Sequence, residues 1–270
     1  MTESVTADLH AGFRRPERGD ADTLGGFLHA VDQLPGIRRI HEAMRSAMAP
    51  RAGERLVDAG CGLGIETRRL AEQHPGIDVV GLDRNDALVR QAGQQRPDSE
   101  VSNLSWHTGD LLAPELDAGS VDVVRTERVL IYQHDLGEAA DSLLSLLRPG
   151  GRLVSFELDY GATLLAPGEG SPETVRSISA AMESSLPQPW AGRRLPALLA
   201  ERGVSVRAEP HAFAVNHEVW DRIVGETVRQ ALREGKLDST GVEEWLAQQV
   251  TANRQAEMTA FTGVLTTAVV

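Results

Sequence analysis

The run Leu56-Val57-Asp58-Ala59-Gly60-Cys61-Gly62-Leu63-Gly64 constrains this chain more than any other stretch. Apolar residues lead in as a short buried strand, three glycines follow at alternate positions, and residues 65 to 74 have helical character. A strand, a glycine turn and a helix in that order place a binding crevice at the carboxyl end of a parallel sheet, where glycine lets the backbone turn tightly and approach a ligand. The helix start then presents free N–H groups to whatever sits there. A second buried strand, Val79-Val80-Gly81-Leu82-Asp83, ends in a carboxylate nineteen residues past Gly64. That is the spacing at which a nucleotide-binding unit sets an acid against ribose hydroxyls.

The glycines read G-x-G-x-G, with Asp58 two residues ahead, which disfavours the G-x-G-x-x-G of a nicotinamide oxidoreductase. Asp58 to Gly64 resembles the first motif of the class I S-adenosylmethionine-dependent methyltransferases, and Gly81-Leu82-Asp83 resembles their second. His107-Thr108-Gly109-Asp110-Leu111 is similar to their adenine-site motif, Val121 to Arg125 to their fourth strand, and Leu147 to Leu153 to the turn into the fifth. The matches fall in the family's order over residues 55–158. The resemblance implies an α/β fold with a Rossmann-like seven-stranded sheet, N-terminal helices and helical inserts forming a cap. It also implies S-adenosyl-L-methionine as cofactor and S-adenosyl-L-homocysteine as product.

A chain of 270 residues is expected to be one large α/β domain or a domain with a small cap, and its 41% hydrophobic content supports a full core. Its net charge of −12 argues against a phosphate backbone as partner. The expected partner is a small molecule, with no nucleic acid and no membrane; a homodimer is left open. The first twenty-odd residues are polar and no eighteen consecutive residues are apolar, so neither a leader nor a membrane span is expected. With Cys61 the single cysteine, a reducing, cytoplasmic setting is expected. The eight histidines form no H-x-x-x-H pair, and no metal site is expected.

Residues 1–22 read as a flexible N-terminal arm. Between Thr23 and Met48, apolar residues recur at helical spacing, broken into two helices at Pro35-Gly36. These helices (residues 23–50) either cover the sheet edge or form a lid, with Arg38 or Arg39 meeting the cofactor carboxylate. Residues 51–270 form the catalytic domain, with strands near 55–59, 78–83, 104–107, 121–125 and 151–158 and helical inserts at about 161–190 and 216–258. Inserts and N-terminal helices together are expected to build the acceptor pocket.

By the resemblance, Gly60, Gly62 and Gly64 make room for the methionine part, with Cys61 a small packing residue among them. Asp58 orients the cofactor amino group or the loop. Asp83 accepts both ribose hydroxyls, Arg84 flanks the adenine, and Gly109, Asp110 and Leu111 hold it; the alternative for the two aspartates is a loop cap. Arg125 to Asp135 resembles a small-molecule methyltransferase subgroup reading R-x-E-R-V-L-Q-H-x-x-D, with Ile131-Tyr132 in place of Gln-His. Tyr132 then orients an acceptor, acts as a weak base, turns its ring face to the sulfonium, or packs behind the loop. Arg125 holds the cofactor carboxylate or pairs with Glu127. Glu127 and His134 complete the catalytic candidates, His134 only if its turn points inward, while Tyr160 and Phe27 border the acceptor pocket. The expected reaction is methyl transfer to a carbon or oxygen, less readily a nitrogen, of a small aromatic or indolic specialised metabolite. A non-methylating or cyclase-like relative would keep the same cofactor motifs.

Overall fold

The computed structural model describes residues 9–15, 20–95, 101–166, 171–252 and 259–270. Seven strands form one sheet: β1 (Arg55–Ala59), β2 (Asp78–Asp83), β3 (Leu104–Thr108), β4 (Val121–Glu127), β5 (Leu147–Leu164), β6 (Ser205–Ala214) and β7 (Ala260–Val269). Their order is β3-β2-β1-β4-β5-β7-β6. The first five are parallel, and β7 runs antiparallel to both β5 and β6. Central strands β1 and β4 are buried along almost their whole length, because helices cover both faces and such strands read as apolar runs. Asp58 and Arg125 interrupt those runs and stand opposite each other in the β1–β4 register.

Helices α2 (Ala21–Asp32) and α3 (Pro35–Met48) occupy the stretch expected to hold two helices. Asp20 caps α2 by accepting from Thr23 N at 2.9 Å, and α3 starts on Pro35, whose missing N–H costs nothing in a first turn. Helices α4 (Ile65–Gln73) and α5 (Asp86–Gln94) follow β1 and β2, and α6 (Leu136–Leu146) precedes β5. Asn85 caps α5 and Asp135 caps α6 through their side-chain oxygens.

The arm expected to be flexible contains a helix, α1 (Leu9–Arg14), with Leu9, His10 and Gly12 buried. Leu9 and Phe13 lie one turn apart and give even this short segment an apolar face to bury. The rest of the arm, residues 1–8 and 16–19, lies outside the described residues. Strand β5 continues to Leu164, beyond its expected end at 158, because β7 pairs with it from Arg152 to Asp159 and again at Leu164. The first insert carries α7 (Pro172–Ser184), and α8 (Ala191–Ala200) follows. In the second insert α9 (His217–Trp220), a π turn over Asp221–Gly225 and α10 (Glu226–Arg233) run on as one helical segment before α11 (Ser239–Ala252). The end of the expected insert, residues 253–258, lies outside the described residues. Among the described residues no helix is long and apolar enough to cross a membrane.

Candidate active site

A cleft of about 1060 Å³, its open mouth included, lies at the carboxyl ends of the parallel strands. Gly60 and Gly62 line one wall. Gly60 has φ +82°, and a Cβ there would stand 2.2 Å from Val129 Cγ2; Gly64 has φ +66°, and its Cβ would fall 2.0 Å from Trp106 Cη2. The expectation that all three glycines make room for a ligand is therefore divided. Gly64 does not line the cleft, and the Trp106 ring accounts for its lack of a side chain. Gly60 N and Cys61 N both donate to Leu82 O, tying the loop to β2. Cys61 also stays off the cleft wall, and burial, with Asp83 and Asp58 nearby, pushes its thiol well above the usual range, as suits a packing residue.

Asp83 ends β2 on the cleft wall. Its Oδ2 accepts from Gly62 N and its Oδ1 from Asn85 N, both at 2.8 Å. Burial raises its pKa against those two N–H groups and the Arg84 charge. A carboxylate has about four lone-pair sites, so about two remain for a vicinal diol. Asp110 caps its own turn, accepting from Leu112 N at 3.0 Å, and lines the cleft beside buried Leu111 and Gly109. Arg84 lines it too, while its Nη2 donates to Phe13 O and pins α1 over the site. Carboxylates at the ends of β2 and β3 and an apolar wall between them fit an adenosyl group. Arg38 and Arg39 do not line the cleft; Arg38 turns back to Asp32 O and Gln33.

Beneath the loop lies a buried charge network. Alternation along β4 points Arg125 and Glu127 to the same face, toward α3 and α4. Arg125 donates to Asp58 Oδ1 at 2.7 Å and to Glu127 Oε2; Thr67 Oγ1 donates to Asp58 Oδ2 at 2.5 Å. His41 Nε2 lies 2.9 Å from Glu127 Oε2, and Arg128 Nε and Nη2 each lie 3.0 Å from Oε1. Neither Asp58 nor Arg125 reaches the cleft. Asp58 is held by Thr67 and Arg125 beneath the loop, and Arg125 takes the ion-pair alternative. Glu127 lines the cleft, but His41, Arg125 and Arg128 bond to its two oxygens. Burial alone would raise its pKa; His41, Arg128 and Arg125 outweigh burial and hold it well below the usual range. Its expected place among the catalytic candidates is corrected on that ground. Asp32, His41 and Glu66 converge within 4.8 Å, a grouping that bears on the expectation of no metal. Arg69 grips Asp32 with two bonds of 2.6 and 2.8 Å and Arg45 holds Glu66, so ion pairs account for both carboxylates.

After β4 the chain makes a tight turn over Leu130–Tyr132. Glu157 on β5 holds it: Oε1 accepts from Val129 N at 3.1 Å and Oε2 from Ile131 N at 3.3 Å. From the first insert, Gln188 N donates to Ile131 O and Gln188 Nε2 to His134 O. The turn delivers Tyr132 into the cleft and leaves His134 exposed outside it, so His134 is corrected as a candidate base. Phe27 and Tyr160 also line the cleft. Sequence reasoning missed His10, Phe13, Arg128 and Ile223, which line it as well. For His10 and Phe13 the signal was the helical spacing of Leu9 and Phe13 within a polar arm, while Arg128 stood in the segment Arg125 to Asp135 and Ile223 in the second insert.

Burial raises the Glu157 pKa from 4.5 to about 7, with Glu127 adding to it and the N–H groups of the turn opposing. The folded state thus keeps a proton that the unfolded chain has lost, and this group makes stability fall as pH rises between 4.5 and about 7. The expected slope reaches about 1.4 kcal/mol per pH unit and flattens in Glu157→Gln. Urea unfolding across that window checks it, and an equal slope in both proteins would reject the assignment.

The strand order, the glycine turn after β1 and the carboxylate ending β2 define a Rossmann-like S-adenosylmethionine-dependent methyltransferase. Residues 50–194 match the family model described as a methyltransferase domain, and the chain belongs to that family. Its cofactor is S-adenosyl-L-methionine. An uncharacterized 37.1 kDa protein in transposon Tn4556 of Streptomyces fradiae is 28% identical over 254 residues, covering 90% of this chain and 72% of that protein. The ubiquinone/menaquinone biosynthesis C-methyltransferase UbiE of Dinoroseobacter shibae is 29% identical over 170 residues, or 58% of this chain and 68% of its own. The crystal structure of YcgJ from Bacillus subtilis shares the fold, with a TM-score of 0.61 at 15% identity over 86% of this chain and 98% of that one.

Proposed function

We propose that the enzyme methylates a carbon or oxygen of a small, flat, largely apolar acceptor, an aromatic or indolic specialised metabolite. Bound in the cleft, the cofactor supplies a methyl group already activated on a sulfonium. Asp83 accepts from the ribose hydroxyls, and Asp110 and Leu111 meet the adenine. The helices before β1 and the second insert, through Phe27 and Ile223, form the cap over the acceptor.

The observation that carries this reading is the group of aromatic rings lining the cleft. His10, Phe13, Phe27, Tyr132 and Tyr160 line one cavity, with neighbouring ring centroids 5.6 to 6.0 Å apart. Such rings accept another flat ring in offset or edge contact. With the methyl already activated, the residues act chiefly by holding the acceptor in line and excluding water. An amine is a poorer fit. Of the lining carboxylates, Glu127 is held by His41, Arg125 and Arg128, and Asp83 and Asp110 stand at the cofactor end. The test is mass spectrometry of reactions with methyl-labelled S-adenosylmethionine and a panel of phenols, indoles and hydroquinones. A product heavier by one labelled methyl is expected, and its fragments name the acceptor atom. Cofactor binding with no transfer to any panel member would favour the non-methylating reading.

A further inference from the structure

We propose that the Arg128 guanidinium binds a carboxylate carried by the acceptor, which narrows the acceptor to a flat aromatic or indolic acid; this rests on the methyl-transfer reading above. Arg128 stands one residue beyond β4 and lines the cleft, with its side chain 20% exposed. Nε and Nη2 both approach a single oxygen, Glu127 Oε1, at 3.0 Å. A guanidinium carries five N–H donors in a planar fork, so this grip leaves the edge formed by Nη1 and the outer N–H of Nη2. Among the described residues nothing accepts from that edge. Two parallel N–H groups in one plane are the arrangement that meets both oxygens of a carboxylate.

The backbone points the same way. Arg128 has φ +57°, in the left-handed region that glycine and asparagine enter easily and other residues enter at a cost. Its N–H donates to Phe156 O on β5 at 2.8 Å, and Glu157, the next residue of β5, holds the N–H groups of Val129 and Ile131. Strain of this kind persists where neighbouring structure over-determines it, and it gathers at ligand sites. A glycine would make the same turn without strain, so what an arginine adds here is its side chain.

The two arginines that line the cleft serve opposite ends of it. Arg84 gives Nη2 to Phe13 O, and its charge opposes the effect of burial on Asp83, at the ribose end. The Arg128 charge acts on Tyr160 instead: burial and Tyr132 push that phenol well above the usual range, and Arg128 opposes them. Arg128 therefore belongs to the aromatic end. Glu127 does not cancel its charge, because His41 and Arg125 bond to Glu127 as well. The chain carries a net charge of −12, and Asp83, Asp110 and Glu127 all line the cleft, so an acid held at the aromatic end owes its place to Arg128. The rings grip the flat body of the acceptor and the guanidinium grips its acid group, and these two contacts together fix which acceptor atom faces the sulfonium.

The experiment is calorimetric titration of the full-length protein, with S-adenosyl-L-homocysteine bound, by benzoate, 4-hydroxybenzoate and indole-3-carboxylate, each against its own amide. At least one acid is expected to bind about tenfold more tightly than its amide, the scale of a charge-assisted, two-pronged contact. In Arg128→Asn, whose asparagine tolerates the left-handed backbone, acid and amide are expected to bind alike. Arg128→Lys keeps the charge without the fork and should fall between. Melting curves report whether each variant is folded, and the wild-type comparison needs no variant at all. Equal affinities in wild type, no binding of any acid, or an acid preference that survives in Arg128→Asn overturns the assignment. A loss of S-adenosyl-L-homocysteine affinity of about tenfold in folded Arg128→Asn also overturns it, by giving the guanidinium to the cofactor's own carboxylate. An acid preference that depends on Arg128, with no labelled methyl reaching any compound, would instead overturn the methyl-transfer reading and leave Arg128 as a carboxylate site.

Discussion

Arg125→Met is expected to cost about 3–5 kcal/mol of folding stability, the range for removing one partner of a buried ion pair. Arg125 stands opposite Asp58 across β1 and β4 and also holds Glu127, so one substitution leaves two buried carboxylates short of a partner. Among the described residues, Asp58 would keep Thr67, and Glu127 would keep His41 and Arg128. Methionine fits the volume and lies near Met44 Sδ, which limits the packing loss and isolates the charge effect. Arg125→Lys should fall between, because an ammonium cannot span both carboxylates as a guanidinium does. Urea unfolding with an unchanged slope and a lower midpoint is the expected record. A loss under about 1 kcal/mol would show that the pair hardly outweighs its desolvation.

Asp83→Ala is expected to weaken binding of S-adenosyl-L-methionine at least about tenfold, since two charge-assisted hydrogen bonds are lost together. The structure adds a second cost. Asp83 also accepts from Gly62 N and Asn85 N, so its removal frees the glycine loop and the start of α5. Asp83→Asn keeps one acceptor oxygen and should lie between. Calorimetric titration checks both variants, with melting curves confirming that each is folded. Unchanged affinity in folded Asp83→Ala would remove Asp83 from the ribose site.

The cofactor side of this enzyme was legible because its signals are local. The apolar run to Ala59, the glycine turn and the acid at Asp83 lie within single strand-to-helix connections, and neighbouring parallel strands bring them together. Even here one reading needed the structure. Gly64 looked like its two companions, yet Trp106, forty-two residues on, is what accounts for it. The acceptor side was far less legible. Tyr132 and His134 sit two residues apart in one segment, and only Glu157 and Gln188, from β5 and the first insert, decide which turns inward. Arg125 offered two readings that differed only in what stood opposite it.

The sequence by itself determined the order of strands and helices, the family and the cofactor, because periodicity, turn residues and motif spacing act over a few residues. Tertiary structure decided the rest. It drew α1 out of a polar arm to roof the cleft, tied Glu127 to His41, Arg125 and Arg128, and set His10 against Tyr132 across 122 residues of chain. Those outcomes depend on which side chains meet when distant segments pack, and a hydrogen bond or ion pair exists only where both partners arrive within about 3 Å.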